Sequence, residues 1–217
     1  DQRASVIGQG AVVPDAAKIT FGTGGMLDVC TPGDRPAVPR TTAGCFPIAG
    51  WSAGGPRTWA LEAILLSAGT NVEWLRADLG IIADTAQSDE LAASVDDADG
   101  VVFVPAPLGL GTPHWDYGAR SGLFGLTRGS TKAHVARAVL EGVAQRGAEL
   151  LAAAEADSGA SIDALRVDGG MSQNRTFIQA LANAIQRPVE VSPVLEATAR
   201  GGGLAAGGRP GPPLLPP

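Results

Sequence analysis

Polar and apolar positions alternate strictly near the start of the chain, and glycine then breaks the pattern. Lys18-Ile19-Thr20-Phe21 alternates, Gly22-Thr23-Gly24-Gly25 interrupts, and Met26-Leu27-Asp28-Val29 follows. Period two marks a half-buried strand, so this stretch predicts a β-hairpin with a glycine turn. The same alternation in Leu165-Arg166-Val167-Asp168 predicts a strand, closed by a Gly169-Gly170 turn. A helix carrying Phe177, Ile178, Leu181 and Ile185 follows, with Ser172 or Asn174 able to cap it. Cys45 to Trp51 reads as a third strand, at an edge or bulge because of Pro47. Val101 to Val104 is a continuous apolar run, suited to a strand buried on both faces. Val189-Glu190-Val191 is a short strand.

Helical spacing fills the rest. Leu61, Leu65, Ala68 and Val72 stand at four-residue steps, which predicts a helix entered from Thr58 and interrupted at Gly69. Trp74, Leu75 and Leu79 belong to the next helix, and residues 84–95 form an acidic helix solvated on one face. From Lys132 to Asp157 the apolar rows run unbroken, enough for a helix of ~39 Å. Residues 1–12 predict a short helix ending near Gly10. Glu196 to Gly207 is a helix of small residues, and its three successive glycines ask for a contact that excludes side chains.

Composition narrows the partners. The 217 residues carry a net charge of −6, which argues against a nucleic-acid backbone or an anionic membrane. No stretch approaches the ~18 apolar residues of a membrane span, and no leader peptide is evident. Cys30 and Cys45 could pair, but two thiols in such a chain are more often reduced. His114 and His134 have no cysteine neighbours at ligand spacing, so no metal site is expected, and His134 suits a surface or capping role. The chain begins without methionine and ends Pro216-Pro217, which suggests a piece of a longer protein with an irregular tail over 208–217.

Two stretches carry candidate chemistry. A glycine turn with a threonine can cradle phosphate, although most hairpin turns bind nothing. The Asp168-Gly169-Gly170 turn leads into a helix N-terminus, where an open α/β sheet binds nucleotides. Taken alone it reads equally well as an ordinary strand–helix connection.

In order along the chain, these pieces resemble the FGGY family of carbohydrate kinases, and within it the glycerol kinases. Asp1-Gln2-Arg3-Ala4 looks like the family's D-Q-Q-A motif, and Phe21-Gly22-Thr23-Gly24 resembles its phosphate hairpin. Ala60-Leu61-Glu62, Ser67-Ala68-Gly69 and Glu73-Trp74-Leu75-Arg76 resemble a further segment. The loop from Val104 to Asp116, the stretch Ser121 to Glu141, and two adenosine-side motifs at Leu165–Gly170 and Glu196–Gly201 complete the match. The resemblance implies an α/β domain of the actin/hexokinase/Hsp70-like (ribonuclease H-like) ATPase fold, a mixed sheet flanked by helices, over residues 1–207. It implies a missing N-terminal domain, which would complete the cleft and supply a metal-binding carboxylate.

The implied reaction is Mg2+-dependent phosphoryl transfer from ATP to a polyol, glycerol to glycerol 3-phosphate. Alternatives are a kinase for a pentulose or other sugar, and a non-catalytic nucleotide-binding paralogue. Carried onto this chain, Asp1 is the catalytic base; Asp1, Gln2 and Met26 face the substrate. Thr23 and Gly24 hold the β/γ-phosphates, Gly69 and Glu73 flank the nucleotide, Gly169, Gly170 and Asn174 receive its α-phosphate, ribose or purine, and Gly201 packs near the adenosine. Three positions depart from the pattern: Met26 replaces a phenylalanine, Glu73 a glutamine and Arg3 a glutamine. A cytoplasmic enzyme, homo-oligomeric at full length, is the corresponding expectation.

Overall fold

The glycine hairpin forms as its alternation requires. In a computed structural model describing residues 2–10, 16–31, 39–51, 58–193, 199 and 201–203, β1 (Ala17–Phe21) pairs antiparallel with β2 (Gly25–Thr31). Ile19, Phe21, Leu27 and Val29 share one buried face; Lys18, Thr20, Met26 and Asp28 share the other. The hairpin is the centre of a six-stranded sheet. On one side β2 pairs with β4 (Thr58–Leu65), and β4 with the edge strand β3 (Phe46–Trp51). On the other side β1 runs parallel to β7 (Leu165–Asp168), which runs parallel to β8 (Val189–Val191). The order is β3-β4-β2-β1-β7-β8, a mixed sheet.

Helices cover both faces. The apolar face packs on α4 (Lys132–Ser158) and α5 (Arg175–Ile185), where Phe21 meets Phe177 edge-to-face at 4.8 Å. At Gly147 α4 packs closely, since a Cβ there would lie 2.9 Å from Leu181 Cδ1 and 3.0 Å from the Phe21 ring. The opposite face is covered in part by α1 (Gln2–Gly8), through Val6 on Cys30 and Ala60. Two short helices, α2 (Gly69–Ala77) and α3 (Gln87–Ala93), lie beyond the strand ends, and β5 (Val102–Val104) pairs with β6 (Gly122–Phe124) in a separate ribbon.

Three expectations are corrected. Thr58 to Leu65 is a central strand, not a helix. Its Ala, Leu and Glu favour helices locally, but Leu61, Ala63 and Leu65 alternate into the core between two partner strands, and that pairing overrides the propensity. Gly69 opens α2 rather than interrupting a longer helix. The Val101–Val104 strand is not buried on both faces, because its ribbon has only two strands and leaves Val102 56% exposed. His134 takes the capping role: its Nδ1 accepts from the Thr131 N–H at 3.0 Å. The Gly54-Gly55-Pro56 stretch and most of the small-residue helix lie outside the described residues, as does the tail.

Cys30 and Cys45 are buried and not joined in a disulfide, and burial pushes the Cys30 thiol up to about 12. Among the described residues, no helix is long and apolar enough to cross a membrane.

Asp157, at the end of α4, anchors the 41–45 loop. Its carboxylate accepts from the Ala43 N–H at 2.8 Å, the Cys45 N–H at 3.3 Å and the Thr41 hydroxyl. Burial works to raise its pKa, but the Thr41, Ala43 and Cys45 donors outweigh burial and hold it below the usual carboxylate value. Asp157→Asn should therefore lose about 1.5–3 kcal/mol at neutral pH, the range for hydrogen bonds to a charged group. A depressed folded pKa means this stabilisation is present above the unfolded value near 3.8 and is lost as pH falls through the folded one. Denaturation midpoints of wild type and variant should differ at pH 7 and converge near pH 2.

Candidate active site

A cavity of about 730 Å³ opens past the carboxyl ends of the parallel strands β1 and β7. Such a position is where open α/β sheets place ligands. Four elements wall it: the hairpin turn (Phe21, Gly22, Thr23), α2 (Gly69, Thr70, Glu73), α3 with the turn before it (Thr85, Ser88, Asp89), and a 3-10 turn after β7 (Gly170, Met171, Gln173).

The hairpin turn is stapled to α2. The N–H groups of Ala68 and Gly69 donate to the Thr23 and Gly22 carbonyls at 2.8 and 2.9 Å. In a trans peptide the carbonyl and the following N–H point opposite ways. The Thr23 and Gly24 N–H groups therefore face away from α2, and Thr23 is exposed at the tip. The staple explains two glycines: a Cβ on Gly69 would sit 2.6 Å from the Gly22 carbonyl oxygen, and one on Gly24 2.7 Å from that of Leu65.

The floor is as tightly determined. Gly169 has φ +89°, and a Cβ there would lie 2.5 Å from the Phe21 carbonyl oxygen, so β1 and β7 close together only over a glycine. Gly22 and Gly170 differ. Both line the cavity, and a Cβ on either would meet nothing within 4 Å. Steric demands of the fold do not explain them.

The far wall is polar and cross-linked. Asn174 caps α5 by accepting from the Phe177 N–H at 2.8 Å and donates to the Ser88 hydroxyl at 3.0 Å. Asp89 accepts from the Thr176 N–H at 2.8 Å and its hydroxyl at 2.7 Å. Burial opposes its ionisation, but the Thr176 and Arg175 donors hold its pKa below the usual value. The Arg76 guanidinium, hydrogen-bonded to Glu73, holds the Glu73 carboxyl low as well. Both acids are thus anionic at neutral pH.

Of the sequence-derived residues, the structure brings Thr23, Gly69, Glu73, Gly170 and Asn174 together around one cavity. Gly24 and Gly169 lie directly behind it. Met26 is half-buried on the sheet face that α1 covers, not at this cavity. Gly201 makes its close approach to α1: a Cβ would fall 1.6 Å from the Ala4 carbonyl oxygen. Asp1 and the side chain of Gln2 lie outside the described residues. The α3 wall of Thr85, Ser88 and Asp89 was not anticipated, because its link to Asn174 and Thr176 spans more than eighty residues and leaves no local signal. Among the described residues, no group of three or more His, Cys, Asp or Glu side chains could hold a metal ion.

The mixed sheet with its flanking helices is that of the actin- and hexokinase-like ATPase fold. The comparisons with known proteins name the family. The C-terminal domain of the FGGY family of carbohydrate kinases matches residues 17–207, and the chain belongs to that family. A glycerol kinase of Rhodopirellula baltica is 46% identical over 210 residues, covering 95% of this chain and 38% of that protein. The crystal structure of Plasmodium falciparum glycerol kinase with ADP aligns with a TM-score of 0.84 at 32% identity, over 93% of this chain and 40% of that one. A xyloylose kinase from Brucella ovis aligns with a TM-score of 0.80 at 29% identity, over 99% of this chain and 43% of that one. The chain thus spans about two fifths of the length of these relatives.

Proposed function

We propose that this chain is the nucleotide-binding half of a kinase that phosphorylates a polyol from ATP, converting glycerol to glycerol 3-phosphate. The observation that carries the reading is the pair of open glycines, Gly22 and Gly170, lining one cavity beside a turn whose N–H groups face away from α2. The glycerol kinases among its relatives support the choice of substrate.

Phosphoryl transfer needs a positioned nucleophile and donors for phosphate charge. In this reading the Thr23 hydroxyl and the Thr23 and Gly24 N–H groups hold the β/γ-phosphates. Gly69 and Glu73 flank the nucleotide. Gly169, Gly170 and Asn174 form the floor for its α-phosphate and nucleoside, with Gly201 as a more distant support. Asp1 accepts the proton of the attacking hydroxyl, and Gln2 and Met26 face the polyol. Magnesium would offset phosphate charge when bound with ATP; the described residues present no group of three or more His, Cys, Asp or Glu side chains that could hold it. The N-terminal domain completes the cleft. The protein is read as cytoplasmic and, at full length, as a homo-oligomer.

A second reading, phosphorylation of a pentulose, is favoured by Met26, a flexible side chain that can line a differently shaped pocket. Assaying the full-length protein with ATP against glycerol, other polyols and ketoses separates the two. Glycerol should give the highest kcat/KM. Turnover of a ketose alone would establish the second reading, and ADP binding without any turnover would mark a non-catalytic paralogue. The 217-residue chain alone should release no ADP in response to glycerol, since half the cleft is absent; measurable release would contradict the division of labour.

A further inference from the structure

Beneath α1 lies a line of buried and half-buried polar groups that the proposed chemistry does not use. Lys18 on β1 and Asp28 on β2 are cross-strand neighbours, fully buried, with Nζ 2.6 Å from Oδ2. Lys18 Nζ also donates to Thr20 Oγ1 at 3.3 Å. Thr20 Oγ1 lies 3.1 Å from Ser5 Oγ of α1, and Ser5 Oγ donates to Asp168 Oδ2 at 3.4 Å. An ammonium only donates and a carboxylate only accepts, so both hydroxyl protons are oriented one way. The line runs from Lys18 through Thr20 and Ser5 to Asp168, the residue before the Gly169-Gly170 floor.

Other contacts hold α1 down. Val6 packs on Cys30 and Ala60, Arg166 Nη1 donates to the Gln9 carbonyl at 3.3 Å, and Gly201 presses on Ala4. Apolar packing is non-directional, whereas hydrogen bonds between buried groups set position and rotation. Ser5 joins α1 to the seam between β1 and β7, where Thr20 and Asp168 stand opposite each other.

We infer that Ser5 and Thr20 are positioning residues: they fix the helix that begins at Gln2, just after Asp1, in register with the nucleotide floor, so that acceptor and phosphoryl donor meet in line. The inference rests on the kinase reading for its effect on rate, and on geometry alone for its effect on α1. In the full-length protein, Ser5→Ala and Thr20→Val should each lower kcat by about tenfold with KM for ATP and polyol within about twofold, the pattern of an interaction that matters in the transition state. Thr20→Ser, which keeps the hydroxyl, should restore kcat. The double variant should be no slower than the slower single one, because both break the same line.

Hydrogen exchange supplies a readout independent of activity. Amides of residues 2–8 should exchange about tenfold faster in Ser5→Ala, with the amides of β1 and β7 unchanged. If the wild type phosphorylates nothing, the kinase reading fails and exchange alone decides the anchoring. Unchanged exchange in α1, additive losses in the double variant, or failure of Thr20→Ser to restore the rate would overturn the inference.

Discussion

Lys18→Met is expected to destabilise the domain by about 3–5 kcal/mol, the range for removing one partner of a buried ion pair. The side chain fits roughly the same space, so the loss comes from charge. Asp28 is buried beside Lys18, and its carboxylate oxygens have no other hydrogen-bond partner among the described groups. Burial already raises the Asp28 pKa despite the attraction of Lys18. Without the ammonium it rises further. A raised folded pKa means the group's contribution is complete below the unfolded value near 3.8 and is lost as pH climbs through the folded one. The penalty of Lys18→Met should therefore grow between pH 4 and pH 8. Adding Asp28→Leu should recover most of the stability, since well-packed apolar pairs often match a buried ion pair. Urea midpoints for the three proteins at both pH values check this. An unchanged midpoint in the single variant would remove the ion pair from the account.

Gly169→Ala should have the second large effect, for two separate reasons. The backbone sits at φ +89°, where any side chain is strained. The added Cβ would also stand 2.5 Å from the Phe21 carbonyl oxygen and 3.0 Å from its nitrogen, forcing β1 and β7 apart at the cavity mouth. Strain and overpacking together should cost about 3 kcal/mol or more. Because the same shift moves the hairpin turn away from the floor, ADP affinity should fall by at least about tenfold, or 1.4 kcal/mol. Thermal unfolding with and without ADP measures both. A variant as stable as wild type would show that the seam is looser than the geometry states.

Much of this was legible from residue patterns. The hairpin, β7, α4 and α5 follow from period and capping, because each buries one face against one neighbour. In the structure the turn is the three residues 22–24, and that length places Lys18 opposite Asp28. What escaped has a common cause. Strand β4 is built from helix formers and becomes a strand only between β2 and β3. The α3 wall reads as a solvated acidic helix until Asp89 is seen capping α5 through Arg175 and Thr176. The close contact expected of the small-residue stretch is made by Gly201 on Ala4, a partner nearly two hundred residues earlier that the stretch itself does not name. Local pattern reports which face is buried; it does not report what buries it.

The nucleotide site itself is tested most directly at Gly170. Nothing lies within 4 Å of a Cβ built there, and its φ is outside the left-handed region. Gly170→Ala should therefore leave the unfolding temperature of the full-length protein unchanged. If the cavity takes a nucleotide against that backbone, calorimetric titration should show ADP binding at least about tenfold weaker than in wild type. Equal ADP affinity in the two proteins would contradict the assignment of this cavity.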